Sequence, residues 1–244
     1  MMKPTASLGL QSQMSDPHPP NLGGFLPTTY FGPISWYSRL LRTENWHIDD
    51  REHYVKQTTR NHCLIATANG IQKLTVPVEK PSRSEERGTR SEPLLTREVR
   101  LSEHGKWRTE HWNALCTAYG ESPFFDYYAD DLRPFFERRD WEFLFDYNMA
   151  ILQKMLELIA PNGQGVQEYR SCFSLRPATV GSRVQTNVTC QLSIVNQRSL
   201  AEGKSNCQLG EAYWQVYQQR HGFLPDLSII DLLCCMGPEA ILYL

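Results

Sequence analysis

The stretch Tyr54-Val55-Lys56-Gln57-Thr58-Thr59-Arg60-Asn61-His62 sets two cations and three amide or imidazole side chains close together, with few apolar anchors among them. Residues of these types could bind a small molecule carrying a carboxylate or phosphate group. Arg60 offers a planar fork that grips a carboxylate or phosphate through two parallel hydrogen bonds, and Lys56 a point charge. Gln57 and Asn61 each carry donors and an acceptor that could orient a polar ligand. The same residues also suit a solvated turn in which Lys56 and Arg60 pair with Asp49, Asp50 or Glu52, and surface ion pairs contribute little. Both readings stand at this point.

A second group is Lys106-Trp107-Arg108-Thr109-Glu110-His111-Trp112. Trp107 and Trp112 fall on different faces of a helix, so one belongs in the core and the other can wall a groove. His111 lies beside both. An imidazole titrates near neutrality, so His111 could move a proton as a general acid or base, or it could be a hydrogen-bonded histidine in helix packing. The segment His221-Gly222-Phe223-Leu224-Pro225-Asp226 could carry function on a rigid loop, or be a turn whose Asp226 caps the next helix.

Other chemistries lack their signatures. The sequence has no GxGxxG, GxxxxGK[ST] or GxSxG motif, so it does not specify a cofactor. Its 7 cysteines are odd in number and show no CxxC spacing, and no two of its 7 histidines stand four residues apart. We expect no metal, reduced thiols, and Cys234 and Cys235 acting as small hydrophobes. With 25 Lys+Arg against 27 Asp+Glu the net charge is -2, which gives no general attraction to nucleic acid. No apolar run reaches the roughly 18 residues of a membrane span, and no export signal is visible, so a cytoplasmic protein is expected.

The elements that must position these groups follow from periodicity. A β-like run at 25–31 leads through Gly32-Pro33 into a helix carrying Ile34, Trp36, Tyr37, Leu40 and Leu41, and 45–50 reads as a short second strand. Asn69-Gly70 between two β-rich runs, 62–67 and 72–78, signals a hairpin. A charged loop at 79–92 precedes a half-exposed strand at 97–101. Helices follow over 106–160 with breaks at Pro123 and Pro134, then a polar stretch at 164–207, and three short helices at 211–220, 227–236 and 238–243. Residues 1–24 read as a flexible extension and 25–244 as one α/β domain. The expected architecture is a central mixed or mainly parallel sheet with a β-hairpin, covered by helices from the C-terminal half.

Several stretches together resemble the bacterial WbqC-like protein family: Thr29-Tyr30-Phe31-Gly32-Pro33-Ile34, residues 52–61, Leu74-Thr75-Val76-Pro77-Val78, residues 107–112, Ser122-Pro123-Phe124-Phe125, and His221-Gly222-Phe223-Leu224-Pro225. The resemblance runs from about Phe25 to the last residue. It implies the context of surface-polysaccharide or O-antigen assembly, where some relatives are encoded. The functional residues it carries over are Tyr30, Lys56, Gln57, Arg60, Asn61, Trp112 and His221 for substrate binding and His111 for catalysis. One branch of the family opens with a His-Gln-Pro-type stretch; here Leu26-Pro27-Thr28-Thr29 stands in its place, so no histidine carries over there. The function implied is an enzyme acting on an activated sugar or acyl donor, or else a non-catalytic binding or scaffold protein of the same pathway.

Overall fold

The computed structural model describes residues 25–42, 47–79, 94–160 and 212–244. The extension expected at 1–24, nearly all of the charged loop at 79–92 and the polar stretch at 164–207 lie outside the described residues.

Strand β1 (Phe25–Leu26) pairs in parallel with β2 (His47–Ile48). Between them lies helix α1 (Ile34–Arg42), which starts after Pro33, whose fixed φ suits a first turn, and buries Ile34, Trp36, Tyr37 and Leu40. Strands β3 (His62–Thr67) and β4 (Gly70–Thr75) form the antiparallel hairpin that Asn69-Gly70 signals, with Thr67 opposite Gly70. Gly70 has a φ of 106°, which only glycine adopts freely, so the second strand begins there and not at residue 72.

Among the described residues these two pairs are the only sheets, and the architecture is mixed α and β without the central mixed or mainly parallel sheet expected. A parallel layer needs long apolar strands covered on both faces. Here β1 and β2 have two residues each, and β4 exposes Ile71, Gln72 and Lys73. The strand expected at 97–101 is corrected in part: Thr96–Glu98 is a 3-10 turn, closed by Glu98 N–H on Leu95 O and Val99 N–H on Thr96 O, while Arg100 and Leu101 make single antiparallel bridges to Phe143 and Val78 that do not extend into a ladder.

Helices α2 (Trp107–Tyr119), α3 (Phe125–Leu132), α4 (Pro134–Glu137) and α5 (Leu144–Ile159) follow, with the breaks near Pro123 and at Pro134. Helix α5 is the central support, burying Tyr147, Asn148, Ile151, Leu152, Met155, Leu156 and Ile159. The C-terminal part holds α6 (Gln218–His221), α7 (Ile229–Met236) and a 3-10 helix at Gly237–Tyr243. The helix expected over 211–220 forms only at its end, because Tyr213 and Gln215 are bonded across to Asp231 on α7 and these tertiary bonds prevail over local propensity. Capping differs too. Ser228 Oγ caps α7 by accepting from Ile230 N–H at 3.3 Å, while Asp226 Oδ1 accepts from Ser35 N–H at 2.9 Å and so caps α1 instead of the helix that follows it.

Where α7 ends, Gly237 has a φ of 57°, and a Cβ there would lie 2.5 Å from the Phe124 ring. Gly237→Ala should therefore lower unfolding stability by about 2 kcal/mol through overpacking and left-handed strain. The check is the urea midpoint, and an unchanged midpoint would show that the ring yields freely.

Candidate functional site

The turn carrying Lys56 to Asn61 is built from its own polar residues. Thr58 Oγ1 donates to Val55 O at 2.9 Å, and the N–H groups of Asn61 and His62 donate to Thr58 O at 3.1 and 3.2 Å. Gln57 takes a φ of 57° at the tip. Long-range bonds then dock the turn. Tyr30 N–H donates to Thr59 O at 2.9 Å, Asn61 Nδ2 to Val76 O at 3.3 Å, and Asn148 Nδ2 from α5 to Arg60 O at 2.8 Å and Thr28 Oγ1 at 3.4 Å.

Arg60 forms an ion pair with Glu52, their side chains 16% and 9% exposed, and a 3.2 Å bond to Thr58 Oγ1. Pairing with one of the acidic residues just upstream is what the turn reading anticipates, but the pair is part-buried where a surface pair was expected. It is also a single contact. Glu52 Oε1 and Arg60 Nε are both buried with no hydrogen-bond partner in the protein, and the same holds for Asn61 Oδ1, Asn148 Oδ1, Thr96 Oγ1 and the Tyr54 hydroxyl. Buried polar atoms are normally bonded, so this concentration in one neighbourhood requires an explanation.

Beside it lies a second polar pair. The fully buried Tyr30 hydroxyl is 2.8 Å from His111 Nδ1 on α2. Burial lowers the His111 pKa to about 4, the Thr75 carbonyl working against it and Arg108 with it, so the ring is neutral at pH 7. Burial also drives the Tyr30 hydroxyl well above its ordinary range.

The chain entering this pair is strained. Phe31, fully buried, has a φ of 41°, a backbone region that bulky residues rarely occupy. Ser228 Oγ donates to Phe31 O at 2.7 Å and Ile229 N–H to Gly32 O at 2.9 Å, so the C-terminal segment holds the turn in place. At Gly32 a Cβ would meet Thr29 Oγ1 at 2.4 Å, which leaves room only for glycine. Strain of this kind persists where neighbours over-determine it, and it concentrates at functional sites.

The structure thus brings Tyr30, Arg60, Asn61 and His111 into one neighbourhood. Lys56 and Gln57 are exposed on the same turn. Trp112 packs in the helical layer against Phe125 and Phe136, with ring centroids at 6.0 and 5.7 Å, while Trp107 is buried against His111. His221 lies apart, its Nε2 3.0 Å from Ala68 O at the hairpin turn.

Sequence reasoning assigned no role here to Asn148 or Arg108, and it weighed Glu52 only as a surface partner. Asn148 was detectable as an amide on the apolar face of α5, four residues after Leu144 and three before Ile151. Arg108 is buried, donating to Phe135 O at 3.1 Å and Glu103 Oε1 at 2.8 Å and lying 4.4 Å over the Trp107 ring. A separate buried carboxylate, Asp231, accepts from Tyr213 at 2.5 Å and Gln215 at 3.3 Å, and Gln215 clamps Leu224 through both its N–H and its carbonyl. Burial raises the Asp231 pKa, opposed by bonds from Tyr213, Tyr119 and Gln215. This group fastens residues 213–224 to α7.

Among the described residues no group of three or more His, Cys, Asp or Glu could hold a metal ion, and no helix is long and apolar enough to cross a membrane. Cys63, Cys234 and Cys235 are buried, which pushes their thiols up and suits small hydrophobes. Cys172, Cys190 and Cys207 lie outside the described residues.

An uncharacterized protein of Mycobacterium tuberculosis, Rv1507c, is 25% identical over 219 residues, covering 86% of this chain and 91% of that protein. No solved structure matches the chain. The model of the WbqC-like protein family matches residues 28–166, more than half of the chain, and that span holds Tyr30, Glu52, Arg60, Asn61, His111 and Asn148. The chain therefore belongs to the WbqC-like protein family.

Proposed function

We propose that the protein is a cytoplasmic enzyme of surface-polysaccharide assembly, of the O-antigen type, acting on an activated sugar or acyl donor. The observation that supports this reading best is the gathering of unpartnered buried polar atoms around Arg60. Each such atom costs about 1–3 kcal/mol if left unbonded, a cost that a bound polar substrate offsets. In this reading Lys56, Gln57, Arg60 and Asn61 bind an anionic substrate such as a nucleotide-sugar. His111, neutral at pH 7, is the proton-transfer group in this reading, with the Tyr30 hydroxyl as its hydrogen-bond partner.

The test is binding of a panel of nucleotide-sugars and acyl donors, read as a rise in melting temperature, in the native protein and in Arg60→Lys. A compact ammonium cannot hold Glu52 and Thr58 and still present the free Nε–H of the guanidinium to a ligand, so the variant should bind roughly 10- to 100-fold more weakly. A panel with no binder sinks the reading. One observation favours the alternative of a non-catalytic binding protein: His111 is only 5% exposed, with Nδ1 engaged by the Tyr30 hydroxyl. Ligand binding without turnover, unchanged in His111→Gln, would establish that alternative.

A further inference from the structure

The unmet bonding around Arg60 has a definite chemical sense. Glu52 Oε1 is an acceptor. Asn61 Oδ1 and Asn148 Oδ1 are acceptors as well, and their orientation is determined, because each amide nitrogen faces a backbone carbonyl, that of Val76 or of Arg60. Against these three acceptors stands one donor, Arg60 Nε, with the Tyr54 and Thr96 hydroxyls able to serve either way. The groups are physically joined: Glu52 contacts Arg60, Asn148 holds the Arg60 carbonyl, and the Arg60 charge is felt at Tyr54.

A phosphate or carboxylate brings acceptors only. It would satisfy Arg60 Nε, leave the three oxygens unserved and meet the Glu52 carboxylate as a like charge, at a place where Glu52 already offsets the guanidinium. A hydroxyl brings a donor and an acceptor together. One hydroxyl can accept from Arg60 Nε and donate to Glu52 Oε1, and its neighbours on a ring can donate to the amide oxygens. Building on the activated-sugar reading above, we propose that the Arg60 site binds the hydroxyls of a neutral sugar ring. Glu52 is the residue that selects for them, and the anionic part of the substrate lies toward the exposed Lys56.

The experiment titrates the native protein with glucose, galactose, mannose and N-acetylglucosamine, and separately with inorganic phosphate and pyrophosphate, by ligand-observed NMR. At least one sugar should bind without being displaced by phosphate. In Glu52→Gln, checked for folding by its melting curve, the sugar should bind at least tenfold more weakly, and phosphate should gain affinity because the guanidinium is released. If that variant does not fold, phosphate competition on the native protein decides. Sugar displaced by phosphate, or sugar affinity unchanged in folded Glu52→Gln, overturns the proposal. Phosphate binding with no sugar binding overturns it while leaving the enzyme reading intact, and binding of neither, nor of any nucleotide-sugar or acyl donor, overturns both.

Discussion

Arg60→Ala should destabilise the protein by about 3–5 kcal/mol, because it leaves the Glu52 carboxylate, 9% exposed, without its counter-ion. The cost arises mainly from the charge left behind and much less from the attraction removed. Removing both partners, in Glu52→Ala/Arg60→Ala, should recover most of the loss, and urea unfolding of the two single variants and the double variant measures the coupling. The protein supplies its own control. Arg133 and Glu137 are also paired, but 55% and 56% exposed, so Arg133→Ala should cost no more than about 0.5 kcal/mol. If Arg60→Ala were as mild as Arg133→Ala, the Glu52–Arg60 pair would be a surface pair in effect, and the site argument built on its burial would fall with it.

The second large effect is in acid. His111 has a folded-state pKa of about 4 against 6.5 for a free imidazole, a depression caused first by burial. The unfolded chain therefore takes up a proton at this position before the folded protein does. Stability from this residue is complete above about pH 6.5, falls as pH drops toward 4 and levels off below that, a total of about 3 kcal/mol. His111→Gln has no such proton to take up, so the native-minus-variant difference in unfolding free energy should shrink by that amount between pH 7 and pH 4. Taking the difference matters, because Asp146 and Asp231 have raised pKa values and shift acid stability in the opposite sense. A difference that stays flat with pH would mean that the imidazole titrates normally, and hence that it is not the neutral hydrogen-bond partner of Tyr30.

What could be read from the chain alone is what local chemistry controls. Asn69-Gly70 specifies its hairpin because glycine alone takes the φ of 106° freely. Pro33 starts α1 and Pro134 starts α4 because their fixed φ and missing N–H suit a first turn and interrupt whatever precedes it. The polar turn around Arg60 was legible for the same reason, since its candidate residues lie within six positions of one another.

Tertiary structure alone decided the rest. Tyr30 and His111 meet across 81 residues, and Asn148 reaches the Arg60 carbonyl across 88, distances over which no periodicity carries information. The same holds for the choice of Glu52 over Asp49 and Asp50 as the Arg60 partner, because three acidic residues within four positions look alike until the fold buries one of them. The sheet was misjudged on the same ground. A short β-rich run has the same pattern whether it joins a layer or pairs once, and the long-range hydrogen bonds that distinguish the two outcomes are not encoded in the run itself. Helix α6 is shorter than its sequence suggests because Tyr213 and Gln215 gain more by bonding to the buried Asp231 than by extending a helix into solvent.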